Sequence, residues 1–307
     1  MALGLDSVLV GCWTDDARAT GVTVVLPPPH TQGVASVRGG APGTREIAAL
    51  GPFASGRECH AVVLCGSSVF GLAAADGVTQ WCADNGRGLD LKGAVVPVVG
   101  AAVVFDIGGP DHARPGPQAG LAACLAATSA DPAMGRVGVG RGCTVGKHAG
   151  RSFAVPGGQG WDVQTHGELT VGAIVAVNAF GDVVDPTGRM LAGSTAPPER
   201  PRYPYATLEQ VAAWGEAAEG RANTTIGCVV TNAALTKPEA ARAIDLAHHG
   251  IARAVRPSHT DADGDALFLL NTGPVAASAD LVAEMAAVAV SNAIRNAVAP
   301  AGGSVSG

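Results

Sequence analysis

An Asn-Thr-Thr triplet at residues 223–225 opens an apolar, β-branched run, NTTIGCVVTNA, and sets the Thr224 hydroxyl where a strand emerges from a loop. Upstream, Val211–Asn223 carries Gly215, Gly220 and several Ala and Glu residues, the pattern of a helix end followed by an exposed, cleavable connection. The chemistry such a junction can do is self-processing. The Thr224 hydroxyl attacks the Asn223 carbonyl, the amide becomes an ester, and water opens the ester to leave a new amino-terminal threonine. An α-amino group has an ordinary pKa of roughly 7.7–8.0, so near neutrality it can serve as base for its own side chain. One residue then supplies nucleophile and base without a histidine relay. Read alone, the triplet is common and also fits a glycosylation acceptor, and a structural role suits it better than a catalytic one.

Other chemistry-bearing patterns fail on spacing. Gly66-Ser67-Ser68-Val69-Phe70-Gly71 has Phe70 where a nucleophile elbow needs glycine, so Ser67 and Ser68 read as helix caps. Around Gly146-Lys147 a phosphate loop needs glycine at Arg141 and Ser or Thr at His148. Gly138 and Gly140 imitate a dinucleotide fingerprint that breaks at Cys143. Asp261-Ala262-Asp263-Gly264-Asp265 resembles a calcium loop until Ala266 and Thr272 replace its required glycine and carboxylate. His248 and His249 are adjacent, point to different sides of a helix, and read as solvated or capping residues. No metal site and no cofactor are expected.

The elements that must position these residues alternate along the chain. Strands are expected at Val22–Leu26, Val34–Arg38, His60–Cys65, Val171–Asn178, the Thr224 run and Ala266–Asn271. Val95–Asp106 is nearly all apolar and bent by Pro97 and Gly100. Helices are expected from Ser68 to about Asn85, and over Gln118–Ala130, Leu208–Glu219, Pro238–Val255 and Ala276–Val298. Gly135–Gly150 is glycine-rich and ends near Lys147, and Gly193–Tyr205 is a Pro-rich loop. A layered α/β architecture in one domain spanning 1–307 accommodates this order.

Composition narrows the function classes. Of 307 residues, 47% are hydrophobic and only 15% charged, which points to apolar interfaces and a homo-oligomer. The net charge of −6 gives no electrostatic reason to bind nucleic acid or anionic membranes. The amino terminus lacks a basic stretch and meets Asp6, Asp15 and Asp16 early, so a cytoplasmic location is expected. Val275–Ala299 is apolar, but Asp280, Glu284 and Arg295 favour a packed helix over a membrane span. Seven cysteines, odd in number and scattered, read as reduced thiols in or near the core. Only three of the 20 basic residues are lysines, Lys92, Lys147 and Lys237, which makes each of them informative.

Seven blocks in order resemble the P1 family of self-processing aminopeptidases and amidases, which includes the DmpA-type aminopeptidases and the NylC nylon-oligomer hydrolases. They are VTVVL with VRGGAPGTRE (22–46), AVVLCGSSVFGLAAADGV (61–78), VPVVGAAVVFD (96–106), VGVGRGCTVGK (137–147), VGAIVAVNAFGD (171–182), NTTIGCVVTNAALTK (223–237) and TDADGDALFLLNTG (260–273). The resemblance implies a four-layer α/β/β/α fold of the amino-terminal-nucleophile-hydrolase kind. It also implies autocleavage between Asn223 and Thr224 into a large subunit, 1–223, and a small one, 224–307. DmpA-type enzymes carry serine after glycine at this junction, and the Asn-Thr here matches the NylC-like branch.

The resemblance also implies a site. Thr224 is the nucleophile. Lys147 holds a positive charge nearby, Asn178 donates its amide to the oxyanion, and Asp263 with Asp265 binds the new α-ammonium and pairs with Lys147. Each has a plain structural reading as well: a surface ion pair for Lys147, a strand-ending turn for Asn178, a solvated turn for the two aspartates. Related enzymes place a tyrosine near this site, whereas the matching strand carries Phe105. The expected activity is hydrolysis of short peptides, β-amino-acid amides or aminohexanoate-type oligomers by a homotetramer of cleaved protomers. An acyltransferase of the ornithine acetyltransferase type and an uncleaved binding protein are the alternatives.

Overall fold

The computed structural model describes residues 1–108, 114–197, 199–200, 208–209 and 223–299. Two five-stranded sheets organise them. The first contains β1 (Leu9–Asp15), β2 (Thr20–Leu26), β4 (Thr44–Arg45), β5 (Ala61–Cys65) and β6 (Val99–Val103), in the order β1-β2-β5-β6-β4. The second contains β3 (Gln32–Val37), β7 (Gly158–His166), β8 (Leu169–Asn178), β9 (Thr224–Ala233) and β10 (Ala266–Val275), in the order β7-β8-β9-β10-β3. Helices α1 (Ala74–Asp84) and α2 (Pro117–Leu125) cover the first sheet, and α3 (Lys237–Ala254) and α4 (Ala279–Val298) cover the second.

Alternation along each strand sorts side chains into three cores. In β9, Ile226, Cys228 and Val230 fill the space between the sheets together with Phe268, Leu270, Val62 and Leu64. Val229 and Ala233 turn instead toward α3 and α4. In β5, Ala61, Val63 and Cys65 turn toward α1 and α2. Burial on both faces is why these strands read as unbroken apolar runs. The outcome is the expected four-layer α/β/β/α sandwich.

Local chemistry sets the helix starts. Thr236 and Glu239 form a capping box that begins α3 at Lys237, and Ser278 accepts the Leu281 N–H to begin α4. α4 is long and apolar enough to cross a membrane, yet two-thirds of that stretch packs inside the protein, against β7 and β8.

Some expectations need correction. Ser67 does not cap a helix: its φ is +62°, it makes no side-chain cap bond, and a 3₁₀ turn over Ser68–Ala73 precedes α1. α2 ends at Leu125, short of Ala130. The Leu208–Glu219 helix lies almost wholly outside the described residues. Among the longer strands, β1 and β7 escape periodicity, and both are sheet edges. In β7 a Cβ on Gly160 would lie 2.2 Å from the Ala293 carbonyl oxygen of α4, so glycine there allows helix and strand backbones to touch. All seven cysteines are free thiols and all but Cys12 are buried.

Gly160→Ala must push α4 away from the sheet, and overpacking of this kind destabilises by about 1–3 kcal/mol. Urea denaturation should show that loss; a midpoint equal to wild type would mean the helix shifts freely.

Candidate active site

Thr224 opens β9, and its antiparallel partner across β8 is Asn178, the last residue of that strand. On the other side β10 runs parallel to β9, and Asn223 bridges Asp263 just before β10 begins. One strand start, one strand end and one loop therefore meet at the same edge of the second sheet. Thr224 and Asn178 share alternation parity with Ile226 and Ile174, so both side chains lie on the face toward the first sheet.

The Thr224 hydroxyl donates to the Asn223 carbonyl oxygen, and the same oxygen accepts the Gly264 N–H at 2.8 Å. Thr224 is 5% exposed, so this contact is shielded from water.

Asp263 and Asp265 are each 1% exposed and face this junction. Asp265 accepts the Thr225 N–H at 2.6 Å on Oδ1, while its Oδ2 accepts the His259 N–H at 3.1 Å and pairs with His259 Nδ1 at 2.8 Å. Asp263 accepts the Thr260 N–H and hydroxyl on Oδ2, at 3.0 and 2.6 Å, and the Phe180 N–H on Oδ1 at 3.3 Å. Burial, and then the neighbouring Asp265 charge, push the Asp263 carboxyl up to about 6. The glycine-rich segment after β3 braces this loop: Arg38 and Gly39 donate to the Asp265 carbonyl and Ala41 to that of Asp263.

Lys147 sits on the Gly135–Gly150 passage, which runs along the end of β8 through Lys147 N–H to the Phe180 carbonyl and Gly146 N–H to that of Gly181. Its ammonium donates at 2.8 Å to both the backbone oxygen and Oδ1 of Asn178. Burial pulls its pKa down to about 7. Asn178 Oδ1 also accepts the Thr144 N–H at 3.0 Å, and its Nδ2 donates to the Phe105 carbonyl at 3.0 Å. The amide expected to face an oxyanion thus commits one N–H to the Phe105 carbonyl, just beyond the end of β6. Lys147 makes no ion pair with Asp263 or Asp265, although the Asp263 charge favours its protonated form.

The five expected residues, Thr224, Asn178, Lys147, Asp263 and Asp265, are therefore gathered at one junction, with Asn223. Sequence reading missed the Gly264 N–H, Thr260 and His259. Gly264 acts through a contact across the chain, and Thr260 and His259 act through the fold of their own loop, which has no signature in residue type or spacing. His248 also departs from expectation. It is buried, bonds the Ser36 carbonyl at 3.2 Å and meets His259 edge-on at 5.0 Å. A second buried pair, His148 and Asp182 at 3.1 Å, lies beside Lys147, with Asp182 also accepting the Ser194 N–H. No cluster of His, Cys, Asp or Glu among the described residues suits a metal ion.

The depressed Lys147 pKa has a thermodynamic signature. The unfolded chain keeps that proton up to about pH 10.4, whereas the folded protein releases it above about 7, so this residue makes stability rise between those values. The unfolding free energy of wild type minus that of Lys147→Met should therefore increase with pH from about 7 upward. A pH-independent difference would mean that the ammonium keeps its ordinary pKa.

Known proteins resemble this chain in sequence and in fold. The sequence profile of peptidase family S58 matches residues 5–306. An uncharacterized aminopeptidase of Mycobacterium tuberculosis strain H37Rv is 43% identical over 265 residues, covering 84% of this chain and 75% of that protein. A 6-aminohexanoate-oligomer endohydrolase of Paenarthrobacter ureafaciens is 29% identical over 278 residues, covering 87% and 74%. Among solved structures, a Burkholderia sp. beta-aminopeptidase superposes with a TM-score of 0.68 at 19% identity, covering 95% of this chain and 84% of that one. The L-aminopeptidase D-Ala-esterase/amidase of Ochrobactrum anthropi, described as a variant of the Ntn hydrolase fold, also gives 0.68, at 17% identity and the same coverage. The chain belongs to peptidase family S58 and is a peptide or amide hydrolase.

Proposed function

We propose that this hydrolase cuts its own chain between Asn223 and Thr224 and then uses the amino-terminal Thr224 as its nucleophile. The observation that carries the reading is the contact at the junction: the Thr224 hydroxyl lies against the carbonyl it would attack, while the Gly264 N–H already donates to that carbonyl oxygen. A donor preset on the oxygen stabilises the charge that develops there during attack, an effect of about 2.7–4 kcal/mol for one such group.

In the first step Thr224 Oγ bonds to the Asn223 carbonyl carbon, the C–N bond breaks, and the proton lost by the hydroxyl ends on the Thr224 nitrogen. Water then hydrolyses the ester, releasing the Asn223 carboxylate and the hydroxyl. In turnover the free α-amine takes the Thr224 hydroxyl proton as Oγ attacks a substrate amide, and passes it to the departing amine. Water completes the cycle through the acyl ester. The buried aspartates supply negative charge for the new ammonium, and Lys147 fixes Asn178 beside the nucleophile.

The substrates are short peptides, β-amino-acid amides or aminohexanoate-type oligomers, in keeping with relatives named as an aminopeptidase and as an aminohexanoate-oligomer hydrolase. The working form is a homotetramer of cleaved protomers in the cytoplasm. The assembly is supported by the uncharged helix α2, which exposes Leu121 and Leu125.

Thr224→Ala should give one full-length chain on a denaturing gel and lose activity on aminoacyl p-nitroanilides and aminohexanoate oligomers, whereas Thr224→Ser should still cleave. Cleavage at 223/224 in the alanine variant would sink the reading, and an active wild type of intact chain would favour an uncleaved protein. Gly264→Ala brings a Cβ to 2.7 Å from the Ala41 carbonyl and 3.0 Å from Thr224 Oγ1, displacing the donor. Precursor should persist in that variant at least tenfold longer by mass spectrometry.

A further inference from the structure

Two carboxylates, each 1% exposed and two residues apart, need a compensating positive charge. Lys147 is not placed to give it directly, because its ammonium is spent on the two oxygens of Asn178. The basic group in contact is His259. Its ring Nδ1 lies 2.8 Å from Asp265 Oδ2, and its backbone N–H donates to the same oxygen at 3.1 Å. The grip requires an uncommon backbone: His259 has φ +56°, a left-handed conformation that non-glycine residues rarely adopt. The other Asp265 oxygen accepts the N–H of Thr225, the residue after the nucleophile. A line of contacts thus runs from His259, hydrogen-bonded to Asp265 through its backbone N–H with its ring Nδ1 close by, through one carboxylate to the Thr225 N–H at the start of β9.

We propose that His259 is a positioning residue of this site: its imidazole and backbone N–H hold Asp265 on the Thr225 N–H, leaving Asp263 as the carboxylate that exchanges protons. The proposal rests on the Thr224 reading. The groups facing His259 are Asp265 and Asp263 on its own loop and His248 from α3, whose carbonyl oxygen lies 3.4 Å from His259 Nε2. Beyond His248 stand Arg38 and its partner Asp245. Burial opposes the charge on both imidazoles, but the Asp265 carboxylate overrides it for His259, whose pKa is raised. Burial, and then the His259 charge, hold His248 down at about 4. The two rings are therefore pushed in opposite directions, His259 toward the charged form and His248 toward the neutral one.

Removing a positive charge favours proton uptake by every acid and amine around it, so the acid limb of the pH profile must move upward. His259→Asn is the informative variant, since Asn tolerates the left-handed backbone and keeps a donor without the charge. The measurement is kcat/KM against pH on an aminoacyl p-nitroanilide, for cleaved wild type and variant. The expected result is an acid-limb midpoint raised by roughly one pH unit, and so about a tenfold lower rate on that limb. Partial misfolding lowers the plateau without moving the midpoint, so coincident midpoints would overturn the proposal and leave His259 a structural residue. If the variant yields no folded protein, histidine ring titrations of wild type by NMR decide. One ring should titrate above the ordinary value near 6.5, and its absence overturns the proposal. Thr224→Ala is assayed alongside: activity in that variant defeats the nucleophile reading itself, whereas an inactive Thr224→Ala with unmoved His259→Asn midpoints defeats only this inference.

Discussion

The parallel pairing of β9 with β10 is the constraint on which the site depends. It runs Ile226 against Ala266 and continues upstream through the Asn223–Asp263 bridge. That register brings a loop some 40 residues away in sequence alongside the junction. Without it the Gly264 N–H does not reach the Asn223 carbonyl, nor Asp265 the Thr225 N–H. A slip by one residue would also send Thr224 to the helix side of the sheet. The apolar packing of Ile226, Phe268 and Leu270 between the sheets forbids that slip, because each would leave the core.

Around that register the protein assembles groups that are costly to bury. Asp263, Asp265, Lys147, His248 and His259 crowd one edge of the sheet, and the first four are nearly inaccessible to water. Each is held by hydrogen bonds from backbone or neighbours, which is what makes the burial tolerable. Low dielectric then moves the carboxyl of Asp263 and the amine of Lys147 toward neutrality from opposite directions. Titrating groups poised near 7 are the proton donors and acceptors that amide chemistry requires.

The central strands were legible because they are apolar on both faces, so Val171–Asn178 and Thr224–Ala233 advertise themselves, whereas the four-layer arrangement came from the resemblance of the motif blocks to a family. The edges were not. β1 and β7 mix glycine, polar and apolar residues, since each has only one neighbouring strand, and their glycines answer to helices that cross them. Ser67 looked like a cap because serine usually caps. Here its N–H is instead taken by the Asp106 carboxylate, 39 residues away, which holds the backbone left-handed.

By itself the sequence determined the order of strands and helices, the hydroxyl at the mouth of β9, and the identity of the five polar residues now gathered beside it. Those follow from local periodicity and from motif blocks in order. Only the tertiary structure decided which groups meet: that Lys147 grips Asn178, that the Asn178 amide turns to Phe105, that Gly264 donates to Asn223, and that His259 rather than Lys147 contacts the Asp265 carboxylate. The first three contacts join residues far apart in the chain, and the last is set by the fold of a single loop. Their geometry is fixed by strand register and close packing, which no short stretch of sequence encodes.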